Sequence, residues 1–586
     1  MGNCAGCLSL AIFLFLSCGP QEVDKDVRPP NVILIMTDDQ GWGDLSYKGN
    51  TNLNTPNIDK LASESADFDR FYVCPVCSPT RAELLTGRYH TRGGVYSTSA
   101  GGERLDLDET TMADVFKAAG YHTAAYGKWH NGMQPPYHPN ARGFDDFYGF
   151  CSGHWGHYFS PMLEHNGEIT KGDGFLVDDF TTHGLDFMEE HREDPFFLYL
   201  PYNTPHSPMQ VPDRWWTKFA DQELPKTYAG EEAENIQHTR AALAMCENVD
   251  WNVGRILDKV EELDITRNTI IIYLSDNGPN GWRWNGGMRG RKGSTDEGGV
   301  RSPLFIKWTD KIKPRKINQI SSVLDLLPTL TEMAGISPGF ERKLDGMSLA
   351  STLLEGRDGS DQRVIINYWR GKTSVRNQTY RLDNAGRLYN MDSDPGQETE
   401  VLDQPEIKND LMERRSEFAR DVVSELPEID SRPFTAGHPD FEWTQLPARD
   451  ATATGQIQRS NRYPNDSYFK NWIDADDSIY WDVELLSPGN FEVIVYYTLS
   501  QKNIGCSLSL TNGVSSIRAP INTPHDPPEV GAKEDRDLRQ ESYVKDFKPT
   551  SLGTIHLHDG AQRLRLLTSD IIENGIDFRL LVLRRI

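Results

Sequence analysis

Five near-continuous apolar runs limit what this chain can fold into. "NVILIM" (31–36), "HTAAY" (122–126), "PFFLYL" (195–200), "TIIIYL" (269–274) and "PLFIKW" (303–308) show no polar alternation. Strands of that kind must be covered on both faces, as in a mainly parallel sheet sandwiched by helices. Helical patterns lie between and after them, at 234–263 and at 321–335, the second ending at Gly335. The alternation predicts an α/β domain over 31–349. From 350 to 435, short strand-like pieces and a charged helix from about Pro405 to Ser424 predict a smaller α+β subdomain. From 442 to 586, pieces such as "SIYWDVEL", "NFEVIVYYTL" and "DFRLLVLR" alternate apolar and polar residues between Gly, Pro and Asn turns. That pattern predicts an all-β sandwich.

The first residues, "MGNCAGCLSLAIFLFLSCGP", hold an apolar run from Leu8 to Leu16. It is too short to span a bilayer and fits the apolar core of a signal peptide over 1–18. Ser17-Cys18-Gly19 resembles a bacterial lipoprotein cleavage box, with Phe15 in place of the usual aliphatic residue and no basic residues ahead. Export to the periplasm or cell surface is expected, and Cys18 is where a lipid anchor would attach. Five cysteines remain beyond the leader, Cys74, Cys77, Cys151, Cys246 and Cys506, too few and too scattered for a disulfide framework. The net charge of −25 argues against a nucleic-acid partner. It does not exclude an anionic substrate captured by a local cluster of Lys, Arg and His.

Ligands of an open α/β sheet bind beyond the carboxyl ends of its strands. Four of the five runs lead directly into reactive polar residues: Asp38-Asp39, Gly127-Lys128-Trp129-His130, "PYNTPH" ending at His206, and Asp276-Asn277. If those strands are parallel, all four groups face one rim. Asp38, Asp39, Asp276 and Asn277 offer only oxygen, which suits Ca²⁺ or Mg²⁺ and makes a poor zinc site. Either pair alone reads as an ordinary turn; two pairs at equivalent strand ends favour a metal.

"CPVCSPTRAELLTG" (74–87) places Pro79 where a helix should start and Gly87 where it should stop. Cys77 then lies at or just before a helix N-terminus, where free N–H groups and Arg81 one turn later favour an anion. The CPVC pair also looks like the redox pair of thioredoxin-like domains, but it sits among carboxylates of a metal-binding kind rather than in a compact βαβ unit. A plain buried cysteine would leave the flanking Pro, Thr and Arg unexplained.

Cys77-Ser78-Pro79-Thr80-Arg81 followed by Thr86-Gly87 resembles the C-x-P-S/T-R…T-G signature of the formylglycine-dependent sulfatases of the alkaline-phosphatase superfamily. "GKWH", "RGFDDFYG", "PYNTPHSP", "LSDNG" and "GRKGSTDEGGVRSP" follow in that family's order, and the match runs from "NVILIMTDDQGWGD" to "RLYNMDSDPGQETEV". The resemblance implies an alkaline-phosphatase-like fold and hydrolysis of a sulfate ester, as in exported bacterial carbohydrate sulfatases. It implies that a maturation enzyme converts Cys77 to formylglycine, whose hydrated aldehyde attacks sulfur with one hydroxyl and expels sulfate through the other. It also implies a cation, Ca²⁺ ahead of Mg²⁺, held by Asp38, Asp39, Asp276, Asn277 and the modified Cys77. Arg81, Lys128 and Lys292 would clamp the sulfuryl group. His206 and Lys292 would protonate the leaving oxygen, and His130 would handle the proton of the diol. His130 is followed by Asn131-Gly132, where the family often has an apolar residue before Gly.

The loops 151–159 and 278–291 are rich in His, Trp, Asn and Arg, so His154, His157, Trp284 and Arg289 are candidate sugar contacts. The sandwich lies outside the match and resembles an accessory carbohydrate-binding domain. The expected substrate is a sulfated mono-, oligo- or polysaccharide. A phosphonate or phosphate ester hydrolase of the same superfamily and a non-catalytic glycan-binding protein stand as alternatives.

Overall fold

The computed structural model describes residues 1–2, 28–357, 362–539, 541, 543–571 and 575–586. The expected leader, with Cys18, lies outside these apart from its first two residues. Among the described residues no helix is long and apolar enough to cross a membrane.

Strands β1 (Asn31–Thr37), β2 (His122–Lys128), β3 (Asp146–Phe150), β4 (Phe196–Pro201) and β5 (Thr269–Ser275) run parallel in the order β5-β1-β4-β2-β3. They form the centre of a ten-stranded sheet. The fifth apolar run forms β6 (Leu304–Trp308), which lies antiparallel beside β5. Burial on both faces does not encode strand direction, so an apolar run alone does not distinguish β6 from its parallel neighbours. β3, "DFYGF", was not among the apolar runs because Asp146 and Gly149 break its pattern.

Successive residues of β1 enter two different cores, as a doubly covered strand requires. Val32, Leu34 and Met36 pack with Phe197, Tyr199, Leu84, Leu85 and Leu330 on one face. Ile33 and Ile35 pack on the other with Leu198, Val249, Val253 and Ile256. The last three belong to the long helix Ile236–Glu262 within the segment predicted as helical. The helix expected at 321–335 is shorter, Leu326–Met333, entered through a 3₁₀ turn at Val323–Asp325 and followed by Gly335 at φ 71°.

In the smaller subdomain, Ile365–Trp369, Lys372–Arg376, Tyr380–Leu382 and Leu388–Asn390 form an antiparallel sheet. Helix Pro405–Asp421 covers it, with Leu411 packed on Val375, Leu382 and Leu388. The C-terminal region is two facing sheets, antiparallel except where Phe434–Ala436 runs parallel to Ser478–Leu485. Trp472, Trp481, Phe491, Val493 and Leu581 are among the side chains between them.

The sandwich is fastened to the α/β domain by buried polar groups. Arg449 forms ion pairs with Glu103 at 2.8 Å and with Asp450 at 3.2 Å, and its Nη1 donates to Ser152 Oγ at 3.1 Å. Burial pushes the Asp450 carboxyl above its ordinary range. Removing the guanidinium would leave Glu103 and Asp450 buried without their cation. Arg449→Ala should therefore lower stability by about 3–5 kcal/mol in urea unfolding. Wild-type stability in that variant would show that these pairs do not hold the two regions together.

Candidate active site

β1 and β5 are neighbours in register, Thr37 opposite Ser275. Asp38-Asp39 and Asp276-Asn277 therefore leave the sheet side by side. Asp276 N donates to Thr37 O at 3.0 Å, and Asp38 N donates to Thr204 O at 3.2 Å on the loop after β4. Asp39 sits at φ 67°, a left-handed conformation uncommon outside glycine. Arg283 helps hold it there: Nη2 donates to the Asp39 carbonyl at 2.8 Å, while Nε and Nη2 grip Asp44 at 2.9 and 2.6 Å. The Asp38, Asp39, Asp276 and Asn277 side chains are wholly buried.

The cations meet this group from three directions. Lys128, at the end of β2, pairs with Asp38 Oδ2. Arg81 Nη2 lies 3.0 Å from Asp276 Oδ2 and 3.5 Å from Asp38 Oδ2, and its Nη1 donates to Lys128 O at 2.7 Å. Lys292 Nζ lies 2.6 Å from Asp39 Oδ1. Burial disfavours ionisation of Asp38 and Asp39, but their cationic neighbours overcome it, holding Asp38 well below the usual carboxylate range and lowering Asp39. Burial and the charge of Asp38 push Asp276 well above that range. Burial also opposes the charge on Lys292, yet Asp39 and the acids around it raise its pKa, so the ammonium keeps its proton.

This pairing leaves three buried oxygens unused: Asp38 Oδ1, Asp39 Oδ2 and Asn277 Oδ1 have no hydrogen-bond donor. One donor atom each from Asp38, Cys77 and Asp276 lie within 4.8 Å of one another. The three orphaned oxygens of Asp38, Asp39 and Asn277 fit a hard cation.

Cys77 is the first residue of helix Cys77–Thr86, so Pro79 occupies the third helical position rather than the expected first. The helix ends where expected, with Gly87 at φ 63° donating to Glu83 O at 2.9 Å. All ten of its residues are buried, because it enters the domain rather than lying on it. Thr80 Oγ1 donates to Asp276 O at 2.6 Å, tying the helix start to the carboxylates. Cys74 and Cys77 are both free thiols. Cys74 lies 3.7 Å from His90 Nδ1, and burial together with Glu83 pushes its thiol far up, which makes it inert.

Three histidines border the cluster. His206 Nε2 lies 3.8 Å from Asp39 Oδ2, and its Nδ1 donates to Ser207 O at 2.7 Å. His130 Nε2 donates to Thr98 O at 2.9 Å, leaving Nδ1 buried and unpartnered. The His154 ring lies 5.7 Å from that of His206. Burial lowers all three pKa values; Lys292 adds to the effect at His206, Lys128 at His130, and His206 at His154.

The Sulfatase family profile matches residues 30–336, which contain every one of these groups. The chain belongs to the sulfatase family. It is a sulfuric ester hydrolase. N-acetylgalactosamine-6-sulfatase of Mus musculus is 33% identical over 383 residues, covering 59% of this sulfatase and 70% of the mouse protein. Arylsulfatase G of Rattus norvegicus is 31% identical, covering 61% of this chain and 76% of its own. The solved structure of Ps i-CgsB in complex with k-i-k-neocarrahexaose is similar at TM-score 0.61 and 28% identity, covering 69% of this chain and 96% of that one.

The four candidate sugar contacts separate in the sulfatase structure. His154 adjoins His206. His157 instead borders the C-terminal region, where it lines a cavity with Val530 and Val544. Trp284 packs under Lys226, whose Nζ is 5.3 Å from the ring, and Arg289 is 3.8 Å from Asp296. The sequence reading passed over Arg283 and Asn203. Arg283 lies within a stretch read only for sugar contacts, and nothing local links it to Asp44. Asn203, 1% exposed with both amide atoms unpartnered, stands in the quoted "PYNTPH" and could have been found there.

Arg283→Ala removes the support of the Asp39 carbonyl and leaves every candidate ligand side chain in place. It should weaken calcium binding by about 10–100-fold in calorimetric titration. Unchanged affinity would show that Asp39 keeps its conformation without that contact.

Proposed function

We propose that this protein hydrolyses a sulfate ester of a carbohydrate, using formylglycine made from Cys77 by a maturation enzyme and a bound divalent cation, calcium ahead of magnesium. The observation that carries the reading is the set of orphaned buried oxygens on Asp38, Asp39 and Asn277, beside the helix start at Cys77 and three fixed cations. The N-acetylgalactosamine-6-sulfatases and the Ps i-CgsB complex support a sugar substrate.

Asp38, Asp39, Asp276 and Asn277 would hold the cation, which supplies charge neutralisation at the sulfuryl oxygens. In its formylglycine form residue 77 supplies the nucleophilic oxygen. The chain's own side chains do the rest. Arg81, anchored on Asp276 and the Lys128 carbonyl, keeps its orientation while charge shifts in the transition state. Lys128 presents its ammonium at Asp38 and Lys292 at Asp39. His130, with its Nε2 proton committed to Thr98, has a lone pair on Nδ1 to accept a proton. Of the two candidate acids, Lys292 keeps its proton at neutral pH in the free enzyme, while burial disfavours one on His206. We assign leaving-group protonation to Lys292, with His206 orienting the ester oxygen. Export through the leader, with an anchor at Cys18, and glycan binding by the sandwich belong to the same proposal.

Sulfate release from defined sulfated sugars, with mass spectrometry confirming formylglycine at position 77, tests this. Cys77→Ala should reduce release by about a thousandfold or more, and Lys292→Ala should lower kcat by about 10²–10⁴-fold. Faster turnover of phosphate than sulfate esters by fully modified protein would overturn the assignment.

A further inference from the structure

The segment that begins at Glu529–Val530 leaves the sandwich and runs along the loop after His206. Gln210 Nε2 donates to Gly531 O at 2.9 Å, and Met209 N donates to Asp535 Oδ1 at 3.0 Å. Arg536 N donates to Met209 O at 3.0 Å, and its Nη2 donates to Val211 O at 2.9 Å. These bonds fix the approach of the next basic residue, Arg539.

The Arg539 side chain is only 2% exposed. Nε, Nη1 and Nη2 are all buried, and none makes a hydrogen bond. Its ion-pair partner Asp535 stands off at 3.7 Å, beyond hydrogen-bonding distance. The Tyr543 ring, centred 4.2 Å from Cζ, supports one face of the guanidinium. Burying five N–H donors without an acceptor is costly, and native structures seldom do it without a reason. Burial lowers the Arg539 pKa and pushes Asp535 up to about 6, so each group offsets the other's desolvation only in part.

The charge of Arg539 acts on His154, His157 and Tyr158. His154 Nε2 and His157 Nδ1 are likewise buried and unpartnered. His154 adjoins His206, and Tyr158 OH donates to His206 O at 3.0 Å. Unsatisfied polar groups thus lie on both sides of the junction: His154 and His157 on the loop beside His206, and Arg539 on the segment bonded to Met209 and Gln210. A guanidinium presents a planar fork that matches an oxyanion, sulfate or carboxylate alike.

We propose that Arg539 is a substrate-specificity residue, supplied by the C-terminal region, that binds a second acidic group on the sugar whose sulfate ester lies at Cys77. The inference rests on the carbohydrate sulfatase reading and makes its substrate a sugar with at least two anionic groups.

Calorimetric titration of the full-length, calcium-loaded Cys77→Ala protein tests this without turnover. The probes are inorganic sulfate, galactose and N-acetylgalactosamine in mono- and disulfated forms, and a monosulfated disaccharide bearing a uronic acid. Adding Arg539→Gln should weaken a doubly acidic sugar about tenfold or more, leave inorganic sulfate within about twofold, and be partly rescued by Arg539→Lys. Asp535→Asn should tighten the same sugar, because it removes a negative charge 3.7 Å from the guanidinium that repels an incoming anion. The two acidic classes separate in the disulfated and uronate arms. Equal weakening of every probe by Arg539→Gln, with Asp535→Asn acting in the same direction, would reduce the pair to a structural role and overturn the inference. So would sugar binding that Arg539→Gln leaves unchanged. Binding of inorganic sulfate but of no sugar would overturn the carbohydrate reading itself, and this inference with it.

Discussion

Three carboxylates buried side by side are the constraint on which the rest of this structure depends. Asp38, Asp39 and Asp276 leave adjacent strands with no water to screen them, and three fixed cations, Arg81, Lys128 and Lys292, are set against them. Burying charge costs several kcal/mol per ion unless partners are held in good geometry. The domain meets that cost with rigid supports: Arg81 on a buried helix, Lys128 at a strand end, and Arg283 beneath the left-handed Asp39. The balance is incomplete by design, because unpartnered oxygens remain where a cation would complete them.

That cluster also explains why one cysteine of the CPVC pair differs from the other. Cys77 begins a helix that points its N-terminus at the carboxylate group, and Thr80 bonds the two together. Cys74, three residues earlier, faces His90 and Glu83, where burial keeps its thiol protonated. Position relative to the helix dipole and the cations, rather than the CxxC spacing, separates them.

The C-terminal region is more than an appendage. Arg449 reaches from the sandwich to Glu103 and to Ser152, at the start of the loop that carries His154. Gly531, Asp535 and Arg536 bond the C-terminal region to the loop after His206. Both loops that border the carboxylate cluster are therefore braced by chain remote in sequence.

The sequence alone determined the doubly covered sheet, because unbroken apolar runs are stable only when buried on both faces. The candidate site residues followed local order in part: Asp38, Lys128 and Asp276 stand within two residues of an apolar run and so at strand ends, while His206 lies farther along the loop after β4. The family signature located Cys77 and Arg81 for the same local reason. Tertiary structure decided what depends on contacts between distant segments. β6 proved antiparallel, because apolar burial carries no direction, and β3 was missed, because Asp146 and Gly149 interrupt its run. Trp284 and Arg289, chosen by residue type, turned to Lys226 and Asp296. Arg283 gained its place through Asp39 and Asp44, and the segment carrying Arg539 through Met209 and Gln210, all more than two hundred residues away. A side chain's residue type is written in the sequence; which charges face it is set by packing.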